Sequence, residues 1–265
     1  EMRAGDKRGE VIAWRGAAII NDCYNSNPRA LDAMVDALMA MPGERHIVVA
    51  GEMLELEGIE TTTVLGTDDI ASAAPGEAGK RRGVAGIVYA YKAAGARAEE
   101  GGSLAEVTAA AAHAVARTRT IGVALAPCQV PGADRPTFEL AEDEIGFGMG
   151  IHGEPGIWRD RLRPADALAD EMLERLLAEA PDDAGGRVSV LVNSLGATPL
   201  EELFILYRRI SRKLEAQGFS IVQPLIGPYV TSMEMAGASI TLSHLDAELE
   251  RLYAAPAQCP FWRVG

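Results

Sequence analysis

The stretch Arg187–Leu225 reads RVSVLVNSLGATPLEELFILYRRISRKLEAQGFSIVQPL and contains one complete strand–helix–strand unit. Its apolar beginning, up to Asn193, predicts a strand, and Pro199 after the turn SLGAT is well placed to open a helix. The helix is predicted to run to about Gln217, and Phe219–Leu225 predicts the next strand. A strand, a helix and a further strand in this order are typical of an α/β domain.

The rest of the chain continues this alternation. A hairpin is predicted over residues 11–22, and further strands over 46–50, 120–126 and 238–242. Helices are predicted over 28–41, 84–100, 104–115, 165–180 and 244–253. The second helix is predicted from the helical spacing of Val84, Ile87, Val88, Tyr91, Gly95 and Ala98, and Ser103 with Glu106 forms a capping box before the third. Because some connections are short, we expect mixed sheets with helices packed on them.

Composition excludes several classes of function. The chain has 265 residues and a formal net charge of −13, which would repel phosphate backbones, so we expect no nucleic-acid partner. It has neither a run of 18 apolar residues nor a visible secretory signal, which predicts no membrane span. Three separated cysteines indicate reduced thiols and a cytoplasmic protein, and the four histidines lack metal-ligand spacing, so no metal is predicted.

The segment Gly148–Gly156, GMGIHGEPG, holds one histidine among four glycines. The residues before it alternate, which predicts a strand that ends at His152, with one face made of Ile145, Phe147, Met149 and Ile151. Glycine inside a strand often marks the close approach of a ligand, so the segment leaves room for a small molecule. The alternative is a histidine held in a tight turn by local hydrogen bonds.

Five long blocks of residues 81–265 resemble the ketose-binding subunit or domain of the dihydroxyacetone kinase family. These blocks are RRGVAGIVYAYKAAGA (81–96), TRTIGVALAPCQVP (118–131), PTFELAEDEIGFGMGIHGEPG (136–156), VLVNSLGATPLEEL (190–203) and GPYVTSMEMAGASITL (227–242). The resemblance implies a truncated DhaK-like C-terminal lobe. It also implies that His152 binds the substrate covalently, as a hemiaminal, within a site that includes Gly150, Gly153 and Glu154.

This role suits the chemistry of histidine. An imidazole with a pKa near about 6.5 is largely neutral at pH 7 and keeps a nucleophilic nitrogen. Covalent capture selects ketones over polyols and holds the terminal hydroxyl for phosphoryl transfer. Glu154 could orient the ring or cap a turn. The resemblance further implies that this chain binds no cofactor. The phosphoryl donor, ATP with Mg²⁺ or a phosphorylated carrier, would lie on a nucleotide-carrying partner subunit, and a homodimer is expected.

Residues 1–58 resemble a different family. The segments IINDCYNSNPRALDAMVDAL (19–38) and IVVAGEMLELEG (47–58) are similar to the start of the C-terminal domain of the Mur ligase that adds D-Ala-D-Ala to the peptidoglycan precursor. The resemblance implies a small β-β-α-β piece in which Asp22 lies near a nucleotide. The alternative for Asp22 is a carboxylate that caps a turn. Residues 59–80 are then a junction between the two pieces.

Neither family pattern is complete in this sequence. The kinase-like part lacks a G-H-E-P loop and an assignable general base, and no P-loop accompanies the Mur-like part. Three functions are therefore compared: a ketose-binding module that serves a kinase, a structural or regulatory remnant without catalysis, and a fragment of a Mur ligase. Loss of a general base alone typically lowers a rate by about 10²- to 10⁴-fold.

Overall fold

The structure is a computed structural model, and it describes residues 10–14, 17–21, 60–129, 135–148, 150, 156–259 and 262–265. The chain divides into two compact units, Glu1–Thr63 and Val64–Gly265.

In the first unit, the described elements are strand β1 (Glu10–Trp14) and strand β2 (Ala17–Asn21). They pair antiparallel, with Val11 opposite Ile20, and form the hairpin that the sequence predicts. The predicted helix from Pro28, the strand over 46–50 and Asp22 lie outside the described residues.

The second unit alternates strands and helices, and its described elements follow in chain order. They are a 3₁₀ helix (Pro75–Lys80), α1 (Ile87–Glu99), α2 (Leu104–Ala116), β3 (Thr118–Ala126), β4 (Glu144–Phe147), β5 (Trp158–Arg161), α3 (Ala165–Ala178), β6 (Arg187–Ser194), α4 (Leu200–Ala216), β7 (Ser220–Ile221), β8 (Leu225–Gly227), β9 (Ala236–His244), α5 (Ala247–Ala254), β10 (Ala257–Gln258) and β11 (Arg263–Val264).

Seven of these strands form one sheet in the order β5-β4-β3-β9-β6-β7, with β8 also paired to β6. Strand β9 lies antiparallel between β3 and β6, whereas β7 and β8 run parallel to β6. The sheet is therefore mixed, as the short connections predict. Because β3 and β6 are both antiparallel to β9, their carboxyl ends meet at the same edge of the sheet.

The two faces of the sheet have different chemistry. One face, here called the apolar face, packs against α3 and α4 through strand residues that include Ile121, Val123, Val188, Val190, Val192, Ile240 and Leu242. The other, here called the hydroxyl face, lies under α1, α2 and α5. Its buried strand residues include Thr118, Thr120, Ser189, Asn193, Ser239, Thr241 and Ser243. Strict alternation along β3, β6 and β9 produces this division.

Several boundaries differ from prediction for local reasons. Strand β4 ends at Phe147 because Gly148 has φ +68°, and the predicted continuation to Ile151 lies mostly outside the described residues. The strand expected over 219–225 is split into β7 and β8, since Gln223 has φ +48° and Pro224 follows it. Helix α5 begins at Ala247 and not at His244, because Asp246 caps it by accepting a hydrogen bond from the Leu249 amide.

The spacing that predicts helix α1 describes its buried side only in part. Ala98 is buried, but Tyr91 is exposed, and Tyr89, Ala93 and Ala96 supply further buried positions. The capping box of Ser103 and Glu106 is present at the start of α2, as predicted. Within the described part of the chain, the structure contains no helix both long and apolar enough to cross a membrane.

Candidate functional site

Gly148 is the residue at which the chain leaves strand β4 toward His152. The Gly148 amide donates a hydrogen bond to the Gly122 carbonyl at 3.0 Å. Beside it, the Ile157 amide donates to the Phe147 carbonyl at 2.8 Å. A Cβ atom at position 148 would lie 2.8 Å from Ala71 Cβ and 2.9 Å from the Ile157 side chain. Only glycine therefore fits here, both for its positive φ and for its close neighbours.

Arg82 and Asp69 hold Gly148 from the side. The Arg82 Nη2 atom donates to the Gly148 carbonyl at 2.6 Å and to Asp69 Oδ2 at 3.0 Å. Asp69 is almost fully buried, and its Oδ1 accepts a hydrogen bond from the Ala71 amide at 3.1 Å. The Asp69 amide in turn donates to the Arg82 carbonyl, and Asp69 forms a parallel bridge to Thr120 of β3. The guanidinium thus links the end of β4 to the segment beside β3.

The neighbouring carboxylate, Asp68, organises the start of helix α1. Its Oδ1 accepts from the Val84 amide at 3.0 Å and its Oδ2 from the Gly86 amide at 2.8 Å. These bonds fix the turn that leads into the helix, near whose N-terminus a negative charge is favourable. A Cβ atom on Gly86 would lie 2.5 Å from Asp68 Oδ2, so the close approach requires glycine. Asp68 is consequently a buried residue that holds the turn before α1.

A row of small and polar residues crosses the hydroxyl face beside this arrangement. Ser239 of β9 pairs with Gly122 of β3 on one side and with Asn193 of β6 on the other. A cavity of about 10 Å³ lies above the row, with space for about one water molecule or one hydroxyl group. It is lined by Asp69, Val84, Ala85, Gly122, Asn193, Leu195 and Ser239.

Asn193 fixes the loop that follows β8. Its carboxamide oxygen accepts from the Tyr229 and Val230 amides at 2.9 and 2.8 Å, and its Nδ2 donates to the Val230 carbonyl and to Ser239 Oγ at 2.7 and 3.2 Å. The amide group therefore uses both donors and both acceptor sites within the protein. Asn193 supports the wall of the cavity, and a group that entered the cavity would meet Ser239 and Asp69 as its polar partners.

Burial dominates the electrostatics of the two carboxylates. Desolvation raises the pKa of Asp68, against the lowering effect of its hydrogen bonds from Thr120, Val84 and Gly86. Desolvation likewise raises the pKa of Asp69, and the nearby Arg82 guanidinium opposes it. Every oxygen of both carboxylates already accepts a hydrogen bond from the protein. We therefore assign both residues to positioning and not to the role of a general base.

The structure places the predicted site residues unequally. Gly150 is buried and follows Gly148 at the end of β4. His152, Gly153 and Glu154 lie outside the described residues, as does Asp22. Sequence reasoning assigned no role to Arg82 or Asn193, although both stand in blocks that carry the family resemblance. The paired carboxylates at 68 and 69 were visible in the sequence, but their contacts depend on long-range folding.

A mixed seven-stranded sheet with helices on both faces and a polar, glycine-containing row next to a strand end defines an α/β domain. Comparison with known proteins gives its family: a family model described as the Dak1 domain matches residues 46–261. The chain belongs to this family, which confirms the resemblance to dihydroxyacetone kinases. The match begins within the segment 1–58, whose Mur ligase resemblance stays a prediction, as do the proposed domain boundaries.

Individual relatives agree with this family. The chain is 46% identical to a D-erythrulose kinase of Mycolicibacterium smegmatis over 217 residues, covering 82% of this chain and 37% of that protein. It is 39% identical to the dihydroxyacetone-binding subunit DhaK of the PEP-dependent dihydroxyacetone kinase of Escherichia coli, covering 82% of this chain and 67% of the subunit. The chain thus spans less than two fifths of the erythrulose kinase.

Among solved structures, the chain is similar to the dihydroxyacetone kinase operon co-activator Dha-DhaQ. The TM-score is 0.69 at 31% identity, and the alignment covers 88% of this chain and 68% of that one. Both the sequence and the fold comparisons therefore support membership of the same family.

Proposed function

We propose that this chain is a ketose-binding module that serves a kinase, and that His152 captures a short ketose such as dihydroxyacetone or erythrulose. The observation that carries the proposal is the family match over residues 46–261, which contains the segment GMGIHGEPG. The names of the relatives, a D-erythrulose kinase and a dihydroxyacetone-binding subunit, support a ketose of three or four carbons.

The capture step is an addition. A lone pair on a neutral His152 ring nitrogen attacks the ketone carbon, and the carbonyl π electrons move to oxygen, which takes up a proton. The other ring nitrogen releases its proton, so the imidazole in the hemiaminal is neutral. No group leaves, and the protein gains the mass of one whole ketose. Glycerol has no carbonyl carbon and is excluded by the same chemistry.

The phosphoryl donor belongs to a partner in this proposal. We expect no cofactor on the chain itself and place ATP with Mg²⁺, or a phosphorylated carrier, on a separate nucleotide-carrying subunit. The name of the PEP-dependent relative supports a phosphoryl group that comes from PEP and not from ATP. A homodimer is a further expectation from the family resemblance.

Mass spectrometry under gentle conditions tests the capture step. The wild-type chain mixed with dihydroxyacetone or erythrulose is expected to gain one ketose mass, and His152→Gln is expected to gain none. The matched control is His113→Gln, which changes a partly exposed histidine of α2 that pairs with Asp246. An adduct that persists in His152→Gln, or its absence from the wild type, would contradict the proposal.

A second candidate is a regulatory module that binds the ketose without phosphorylating it. The similarity to an operon co-activator favours this candidate specifically. A turnover assay with a nucleotide-carrying subunit separates the two functions: ketose phosphorylation supports the kinase module, and capture without turnover supports the regulator. The Mur ligase fragment remains the third candidate, and calorimetry that detects no ATP or ADP binding would exclude it.

A further inference from the structure

We propose that Arg82 is a positioning residue that fixes the backbone from which the His152 segment leaves strand β4. This inference rests on the proposed function for its consequence, because it concerns the placement of the ketose-capturing histidine. Its structural part rests on described residues alone, namely Arg82, Asp69 and Gly148.

Gly148 is held on both sides of its peptide units. Its amide donates to the Gly122 carbonyl, and a Cβ atom at this position would clash with Ala71 and Ile157. The Gly148 carbonyl, by contrast, accepts one hydrogen bond among the described residues, the 2.6 Å bond from Arg82 Nη2. Loss of that bond would remove the charged donor that fixes the orientation of the peptide unit after Gly148.

Arg82 is itself held in place by hydrogen bonds. The same Nη2 atom donates to the buried carboxylate of Asp69, whose other oxygen holds the Ala71 amide. The Arg82 amide donates to Ser72 Oγ, and the Arg82 carbonyl accepts from the Asp69 amide. Side chain and backbone are thus tied to the segment 69–72, which pairs with β3 at Thr120.

Arg82 also has a buried N–H group, at Nε, that lacks a hydrogen-bond partner among the described residues. A buried N–H without a partner is unfavourable, and in native proteins it calls for an explanation. Nη2 of the same side chain donates to the Gly148 carbonyl, four residues before His152, and this contact is consistent with a role in placing the His152 segment.

The consequence for capture follows from geometry. Attack on a carbonyl carbon requires a near-attack arrangement of the two atoms, and a displacement of about 1 Å can cost as much as about 100-fold in rate. His152 lies four residues after Gly148, so a change in the Gly148 peptide plane alters the direction in which the segment starts. Arg82 therefore affects the rate of capture through the backbone at Gly148.

The test uses three variants of the full chain: Arg82→Gln, Arg82→Lys and the control Arg159→Gln. Arg159 lies on β5 of the same hairpin, is more than half exposed and pairs with Glu144. Two quantities are to be measured: hydrogen exchange in peptides that contain Gly148 and Ile157, and the rate of adduct formation with dihydroxyacetone. Arg82→Gln is expected to speed exchange and slow capture by about tenfold each. Arg159→Gln is expected to change neither by more than about twofold.

Arg82→Lys supplies a single point charge that can serve one acceptor at a time, so it is expected to restore part of the capture rate. This variant also decides the question if Arg82→Gln fails to fold. Exchange and capture within about twofold of wild type in both Arg82 variants would overturn the inference, and so would faster exchange with an unchanged capture rate. A wild-type chain that forms no adduct overturns the proposed function, whereas the exchange measurement then still decides whether Arg82 fixes Gly148.

Discussion

The apolar face and the hydroxyl face of one sheet are built from neighbouring residues, but they pack through different interactions. On β9, Ile240 and Leu242 point to helices α3 and α4, whereas Thr241 and Ser243 point to the opposite side. On the apolar face, the removal of side chains from water lowers the free energy of the folded state. The hydroxyl side has groups that must each find a partner, and they do so: Thr241 pairs with Thr120, and Ser243 with Tyr253.

The difference separates stability from specificity. Burial on the apolar face is non-directional, so it supports the sheet without fixing what lies above it. The hydroxyl face fixes its neighbours by directed bonds, such as the Tyr89 hydroxyl with Ser189, and it carries the row of Gly122, Ser239 and Asn193 next to Asp69. We infer that the candidate site lies on the side of the sheet where directed bonds set the geometry.

The largest expected effect breaks the apolar face. Ile240→Ala removes a fully buried side chain from the central strand, between Ile121 and Val192 on the adjacent strands. We expect a loss of about 3–4 kcal/mol in the free energy of unfolding, from lost transfer energy and the cavity left behind. Urea denaturation followed by circular dichroism measures it. A loss below about 1 kcal/mol would mean that the face is loosely packed, contrary to its complete burial.

The alternation that produces these faces could be predicted from sequence, and so could most helices. RVSVLVN and the segment after Pro199 specify a strand and a helix by local pattern, and the observed bounds, Arg187–Ser194 and Leu200–Ala216, differ from prediction by at most one residue at any end. The Ser103 capping box is local as well. These features need only residues that are close in the chain.

Other features depend on contacts that no local pattern contains. The buried face of α1 is set by Tyr89, which finds Ser189 across 100 residues, and by Lys92, which donates to the Leu252 and Ala255 carbonyls. Tyr91, although apolar by pattern, is left in solvent. The same holds for the candidate site, where Arg82 donates a hydrogen bond to the Gly148 carbonyl although the two residues are 66 positions apart in the sequence. A sequence can show that an arginine and a glycine are present, but the fold decides that they meet.

A second, smaller effect concerns a polar residue on the apolar face, His244. Its ring is fully buried beside Phe219, and neither nitrogen has a partner among the described residues. Desolvation, aided by Arg117 and Arg119 and opposed by Asp183, lowers its pKa to about 4. The unfolded chain therefore takes up this proton near pH 6.5 while the folded chain does not. Stability is fully present above about pH 6.5 and is lost as the pH falls toward 4, by roughly 3 kcal/mol in total.

Denaturant titrations at several pH values measure this loss, and His244→Leu isolates it. The variant keeps an apolar volume at the site and removes the titrating imidazole, so it is expected to lose less stability than wild type between pH 6.5 and pH 4.5. At pH 7 it is expected to be equal or more stable, since the wild-type nitrogens are unsatisfied. Parallel pH profiles of wild type and variant would show that another group causes the dependence.

The smallest effect sharpens the comparison on the residue next to Ile240. Thr241→Val keeps the shape and removes the hydroxyl that pairs with Thr120 at 2.8 Å. We expect a loss of about 1 kcal/mol by urea denaturation, the typical net contribution of one hydrogen bond. Adding Thr241→Val to Ile240→Ala tests whether the faces act separately. The residues are adjacent but point to opposite sides, so the losses should add to within about 0.5 kcal/mol. A clear departure from additivity would mean that the sheet transmits packing changes from the apolar face to the hydroxyl face, where the candidate site lies.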